Sequence, residues 1–90
     1  MLSGTFIGYL AAFLTTAAFV PQAVKTIRTR DTEGISVLMY LSFTTGIVFW
    51  IAYGVVREDP VIIIANSLTF LLALPILLIA LNNARKQKAL

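Results

Sequence analysis

The chain has 90 residues, 59% of them hydrophobic and 12% charged, with a formal charge of +3. So much apolar surface has no use in a water-soluble domain of this length, so the solvent for most of the chain is hydrocarbon. Cysteine and histidine are both absent, which excludes disulfides, thiolate chemistry, the commonest metal ligand and the usual proton shuttle.

Three stretches free of Asp, Glu, Lys and Arg follow one another, at about 3–24, 36–56 and 60–82, ahead of a basic tail at 83–90. Each can cross about 30 Å of hydrocarbon as a helix of roughly 20 residues. The expected fold is an all-α membrane protein, one three-helix unit over residues 1–90. The first stretch is a poor signal peptide, because it lacks a basic leader and is too long for an h-region.

The first span closes on "FVPQAVKTIRTR", residues 19–30. Pro21 cannot give a helical hydrogen bond to the carbonyl of Ala17, so a bend is expected there. Gln22 beside it is costly in hydrocarbon unless paired. Gly4, Gly8, Ala12 and Thr16 form a stripe of small residues on one face, which lets another helix approach closely. The sequence leaves open whether that helix belongs to the same chain. Lys25, Arg28 and Arg30 follow, then Gly34 as a turn, with Ser36 or Asp31 placed to cap the second helix.

In the second span Met39 and Phe43 lie one turn apart near its start. Ser42, Gly46, Trp50 and Gly54 recur every four residues and so share a face. The break "REDP" supplies Arg57, Glu58 and Asp59, and Pro60 suits the first position of a helix. The third span carries Asn66, with Thr69 and Ala73 near it, and Pro75, read only as a kink. Trp50 and Asn66 each lie about four residues, roughly 6 Å, from the middle of antiparallel spans and on the same side of it, hence at one depth.

Basic residues set the direction. Three lie in the first loop and three in the tail (Arg85, Lys86, Lys88), against Arg57 alone in the second loop. The first loop and C-terminus are therefore expected in the cytoplasm and the N-terminus outside. No span holds a carboxylate for proton or cation coupling. Nothing in the pattern supports metal or nucleophilic catalysis, a cofactor or nucleic-acid binding, so an enzyme is not expected. An indole among small residues beside an amide suits a sugar: the ring stacks on C–H faces, and the amide donates to and accepts from hydroxyls. Two other readings stay open, Trp50 as an interface or packing residue and Asn66 as interhelical glue.

"FVPQ", "TEGIS", Trp50 and Asn66, in this order within one three-span chain, resemble the SemiSWEET sugar transporters, the half-size bacterial relatives of SWEET transporters in the PQ-loop family. The resemblance covers essentially all 90 residues. It implies a parallel homodimer of six helices around a central pocket, lined by Trp50 and Asn66 of both copies. It implies a hinge at Pro21 and Gln22, with Gln22 offering donors to backbone groups freed by the proline. It implies an outer gate of Tyr53, Arg57 and Asp59, Arg57 of one chain pairing with Asp59 of the other, and an inner gate of Met39 and Phe43. The implied activity is facilitative sugar uniport by alternating access in the bacterial inner membrane, with sugar, a second copy and lipid as partners. Two alternatives remain: a PQ-loop carrier of another small neutral metabolite, and a small membrane interaction protein that uses the glycine stripe.

Overall fold

A computed structural model of the chain describes residues 4–89. They form three helices, α1 Gly4–Thr29, α2 Val37–Val56 and α3 Pro60–Ala89. Each contains a segment long and apolar enough to cross a membrane. α1 and α3 run past the expected apolar spans. The loss of apolar character marks where a helix leaves hydrocarbon, not where it stops, and the Lys, Arg, Gln and Ala that follow are good helix formers. Pro21 and Pro75 lie inside continuous helices and end neither.

The ends are set locally. Arg30, at φ 59°, closes α1 in the left-handed region, and its N–H reaches the carbonyl of Thr26 at 2.8 Å. Gly34 turns the loop at φ 83°. Ser36 is the cap of α2, its hydroxyl accepting from the Met39 N–H at 3.1 Å. Asp31 instead accepts from the N–H of Glu33 at 2.9 Å, within the loop.

The α2–α3 turn is tighter. Glu58 sits at φ 52°. Its N–H donates to the carbonyl of Val55 at 3.1 Å, and that of Asp59 to the carbonyl of Gly54 at 2.9 Å. This is a Schellman ending with glutamate in the position glycine usually fills. Asp59 then caps α3, its Oδ1 accepting from the N–H groups of Val61 and Ile62 at 3.0 and 3.3 Å. Pro60 occupies the first helical position, where no N–H is needed.

α3 is the centre of the bundle. Both other helices pack on it, and among the described residues the Cα atoms of α1 and α2 nowhere come within 8 Å of each other. α1 and α3 run parallel in constant register. At one end a Cβ on Gly8 would meet the Val61 side chain at 2.8 Å, a separation of 61 − 8 = 53 residues. At the other, Asn83 donates to the carbonyl of Arg30 at 2.9 Å, a separation of 83 − 30 = 53. Gly8 thus finds its close partner within the same chain, whereas among the described residues nothing lies within 4 Å of a Cβ on Gly4.

The buried core, built on Ala23, Tyr40, Ile47, Ala73, Ile76 and Leu77, lies towards the end of the bundle that carries Lys25, Arg28, Arg30, Arg85 and Lys86, here called the basic end. Towards the opposite, turn end, α1 is largely exposed. Its buried residues are Ala23 and Thr26, and both follow Pro21.

Candidate functional site

Where the helices part from the core, a trough opens between α1 and α2 with α3 as its floor. One cavity of about 460 Å³ is lined by Thr15 and Phe19 of α1, Gly46 and Trp50 of α2, and Asn66 and Thr69 of α3, among others. A second, of about 340 Å³, shares Thr15, Trp50, Asn66 and Thr69 and extends to Gly8 and Val61. The two form one continuous groove, of the size that small-molecule sites usually have.

Trp50 and Asn66 are brought together at one level, as counting from the span ends predicts. A Cβ on Gly46 would meet nothing within 4 Å, so the space one turn from the indole is empty. The four-residue stripe does not stay on this face. It drifts about 40° per repeat on a helix of 3.6 residues per turn. By Gly54 it has rotated onto α3, where a Cβ would sit 2.9 Å from Ile62. Ala73, expected near Asn66, is fully buried in the core and lines no part of the groove.

The hydrogen bonds already made define what the groove can offer. Asn66 Nδ2 donates to the carbonyl of Ile62, one turn back, at 2.9 Å. Its bond is therefore within α3, and it does not glue helices together inside the protomer. Thr15 gives its hydroxyl hydrogen to the carbonyls of Ala11 and Ala12, and Thr69 gives its own to Ala65. What remains is mostly acceptor: Asn66 Oδ1 and the two threonine oxygens, with one amide N–H and the Trp50 indole N–H left as donors. Among the described residues no charged side chain lines the groove. The indole of Trp50 is held edge-on by Tyr53, ring centres 5.6 Å apart and planes at 89°.

Towards the basic end the groove closes on aromatic rings. Phe19 and Phe43 stack at 5.7 Å with planes 7° apart, and Tyr40 meets Phe43 edge-on at 6.3 Å. Phe43, one of the two expected inner-gate residues, thus has its partners in Phe19 and Tyr40. Met39 is 57% exposed and lies outside this cluster.

Gln22 has a contact that the sequence did not suggest. Its Oε1 accepts from the Tyr40 hydroxyl, so its oxygen ties α1 to α2, a bond separate from the donor role that the resemblance implies for its amide hydrogens. Pro21 lies beside this tie. At the turn end, Tyr53 reaches Trp50. Asp59 Oδ1 is engaged with α3, and among the described residues no ion pair joins Arg57 to Asp59 within the protomer.

Residues 3–63 match the model of the PQ loop repeat. Over 80 residues the chain is 59% identical to the sugar transporter SemiSWEET of Escherichia coli (strain UMEA 3162-1), covering 89% of this chain and 90% of the relative. The chain belongs to the SemiSWEET branch of the PQ-loop family. A second SemiSWEET sugar transporter, from Leptospira biflexa serovar Patoc, is 49% identical over 63 residues, 70% of this chain and 74% of the relative. The fold agrees: a crystal structure of SemiSWEET in the inward-open conformation superposes with a TM-score of 0.89 at 55% identity, covering 94% of this chain and 91% of that one. The family motif falls on the structure as "PQ" at the α1–α2 tie, with Trp50 and Asn66 in the groove.

Sequence reasoning missed Thr15 and Phe19. Both lie in an apolar helix with no strong periodicity, and nothing in α1 alone marks which face meets α2. Their spacing of four residues was the available signal, but it becomes informative only once the register against α3 is known.

Proposed function

We propose that this chain is a facilitative sugar transporter that works as a parallel homodimer. The observation that carries the reading is the uncharged groove in which Trp50 and Asn66 share one level. It presents an aromatic plane and more hydrogen-bond acceptors than donors. A sugar supplies the complement, a ring of C–H faces for the indole and hydroxyl hydrogens for the acceptors. A carboxylate or phosphate would find no cation there, and a proton would find no base, which favours uniport.

One protomer makes half a site. Trp50 is 54% exposed and Tyr53 49%, so the groove is open on the side away from α3. A second copy related by an axis along the membrane normal would face its groove to the first and enclose the sugar between two indoles. Alternating access then opens and closes the two ends of this enclosure. Tyr53, Arg57 and Asp59 close the turn end. Phe43, stacked on Phe19, closes the basic end, and the exposed Met39 one turn away adds to that closure from outside the ring cluster. Pro21 and Gln22 supply the hinge beside that inner closure. The basic end faces the cytoplasm of a bacterial inner membrane and Gly4 starts on the outer side, in keeping with the positive-inside rule.

The test is downhill sugar flux in proteoliposomes that contain only this chain. Trp50→Ala and Asn66→Ala should each lower flux roughly tenfold or more, the effect of losing about 1.4 kcal/mol of contact with the sugar, while leaving a dimer of unchanged size. Transport at the parental rate by both variants would remove the groove from the pathway. Absence of sugar flux in the parent, with flux of another neutral metabolite, would reassign the cargo and keep the site.

A further inference from the structure

Pro75 has no part in the motif that marks the family, yet the register between α1 and α3 gives it one. A residue of α1 lies level with the residue 53 positions later in α3, from Gly8 and Val61 at one end to Arg30 and Asn83 at the other. Pro75 is 54 positions after Pro21. The two prolines therefore stand at one height along the paired helices, within one residue or about 1.5 Å of the same level. Each interrupts its own hydrogen-bond ladder there, Pro21 at the carbonyl of Ala17 and Pro75 at that of Leu71.

Beyond this level the two helices are joined. Ala23 and Thr26 are 2% and 3% exposed, and they are the residues of α1 packed most deeply. Asn83 spends both amide hydrogens on the far side, on the carbonyl of Arg30 and the hydroxyl of Thr32, each at 2.9 Å. α1 cannot swing about Pro21 alone without leaving α3 and breaking both bonds. Its attachment to α2 is slighter: the Tyr40–Gln22 hydrogen bond and the Phe19–Phe43 stack bridge backbones that do not approach.

We propose that Pro21 and Pro75 are the two halves of a single hinge, and that Asn83 is the latch that makes the basic ends of α1 and α3 one moving body, which turns at the level of the two prolines. This deepens the hinge reading given above and rests on it. It assigns a positioning role in transport to Pro75 and Asn83, neither of which touches the groove. The lever is short. Eight residues from Pro21 to Thr29 span about 12 Å, and a bend of about 20° moves the end by roughly 4 Å.

Three variants of the full chain in proteoliposomes test this. Pro75→Ala restores the hydrogen bond to Leu71 and should lower flux roughly tenfold, as Pro21→Ala does, while equilibrium sugar binding stays within about twofold of the parent. The double variant should transport no more slowly than the slower single one, because a single hinge can be stiffened only once. The third, Asn83→Leu, removes the latch, and Asn83→Asp serves as a second version that keeps size but loses both donors and sets a negative charge against the Arg30 carbonyl. Spin labels at residues 28 and 85, in dimers diluted with unlabelled chain, should give one narrow distance in the parent with or without sugar. In both Asn83 variants that distribution should broaden or shift by about 4 Å. Parental flux in Pro75→Ala, multiplicative losses in the double variant, or an unchanged distance in both Asn83 variants would each overturn the shared hinge. The distance measurement needs no sugar to be carried. A chain without sugar flux would therefore refute the transport reading while the label distances still decide the latch.

Discussion

The close approach of Gly8 to Val61 permits a quantitative test of what holds α1 in place. A Cβ added at Gly8 lies 2.8 Å from Val61 Cγ1 and 3.7 Å from its Cβ and Cγ2. Carbon atoms prefer about 3.5–4.0 Å, so one contact must open by roughly 0.7 Å or more. Val61 is β-branched and cannot turn aside cheaply in a helix. Overpacking of this kind costs about 1–3 kcal/mol. Against it, alanine in place of glycine favours the helix by about 1 kcal/mol. Gly8→Ala should therefore cost up to about 2 kcal/mol. Val61→Ala alone should cost about 1 kcal/mol, as lost packing, because hydrocarbon surrounds the pair in the separated state as well. In the double variant the clash is gone and the helix gain remains, so stability should return close to that of the parent, with a coupling of about 1–3 kcal/mol. The assay is reversible unfolding of the detergent-solubilised dimer for all four proteins. Gly8 and Val61 also line the groove beside Trp50 and Asn66, so flux should fall in Gly8→Ala and recover in the double variant. A Gly8→Ala protein more stable than the parent, or a double variant that gains nothing from Val61→Ala, would refute the close packing of α1 on α3 at this level.

Three further outcomes follow from named contacts. Glu58→Gly relieves a left-handed φ of 52° and should stabilise the fold by about 1 kcal/mol, read as a raised unfolding midpoint; an unchanged or lowered midpoint would contradict the Schellman turn. Asp59 has two separable duties, since it caps α3 and is proposed to gate the turn end: Asp59→Asn should keep the cap within a few tenths of a kcal/mol yet open the gate, whereas Asp59→Ala should also lose about 1 kcal/mol of stability. Equal distances between the two copies of residue 57 in the parent and Asp59→Asn would leave Asp59 with the cap alone. Tyr40→Phe removes the hydrogen bond to Gln22 and should favour separation of α1 from α2 by about 1 kcal/mol, seen as a longer mean distance between labels at residues 28 and 38; an unmoved distance would show that the Phe19–Phe43 stack holds the seam unaided.

The sequence made some of this legible and hid the rest for a physical reason. Charge-free runs and breaks placed three helices, because solvent transfer depends on composition. Trp50 and Asn66 could be put at one depth by counting along antiparallel spans, because rise per residue is fixed. Ser36 as a cap and Gly34 as a turn were readable from local chemistry. What could not be read was which helix lies between the other two. Without α3 in the centre, Thr15 and Phe19 have no face, Asn83 has no partner and Pro75 has no neighbour. Gln22 looked like a donor because the neighbouring proline frees acceptors, and only the arrival of Tyr40 from α2 reveals the bond that its oxygen accepts. Asp59 looked like a gate charge, and its cap on α3 rests on a turn geometry that glutamate at position 58 disguises.

The placement of α3 also bears on how the chain is made. α1 packs on a helix whose matching residue is synthesised 53 positions later. At about 5–20 residues per second, each level of α1 waits roughly 3–10 s for its neighbour. During that interval α2 is already present, but it meets α1 through side chains and not through close backbone packing. α1 must therefore persist in the bilayer as a lone helix, with Pro21 in it and Gln22 still unanswered unless Tyr40 has arrived. A ribosome stalled before Pro60 would leave it in that condition. Insertion intermediates halted there should be the form most readily extracted from the membrane or degraded, and release through Asn83 should protect them.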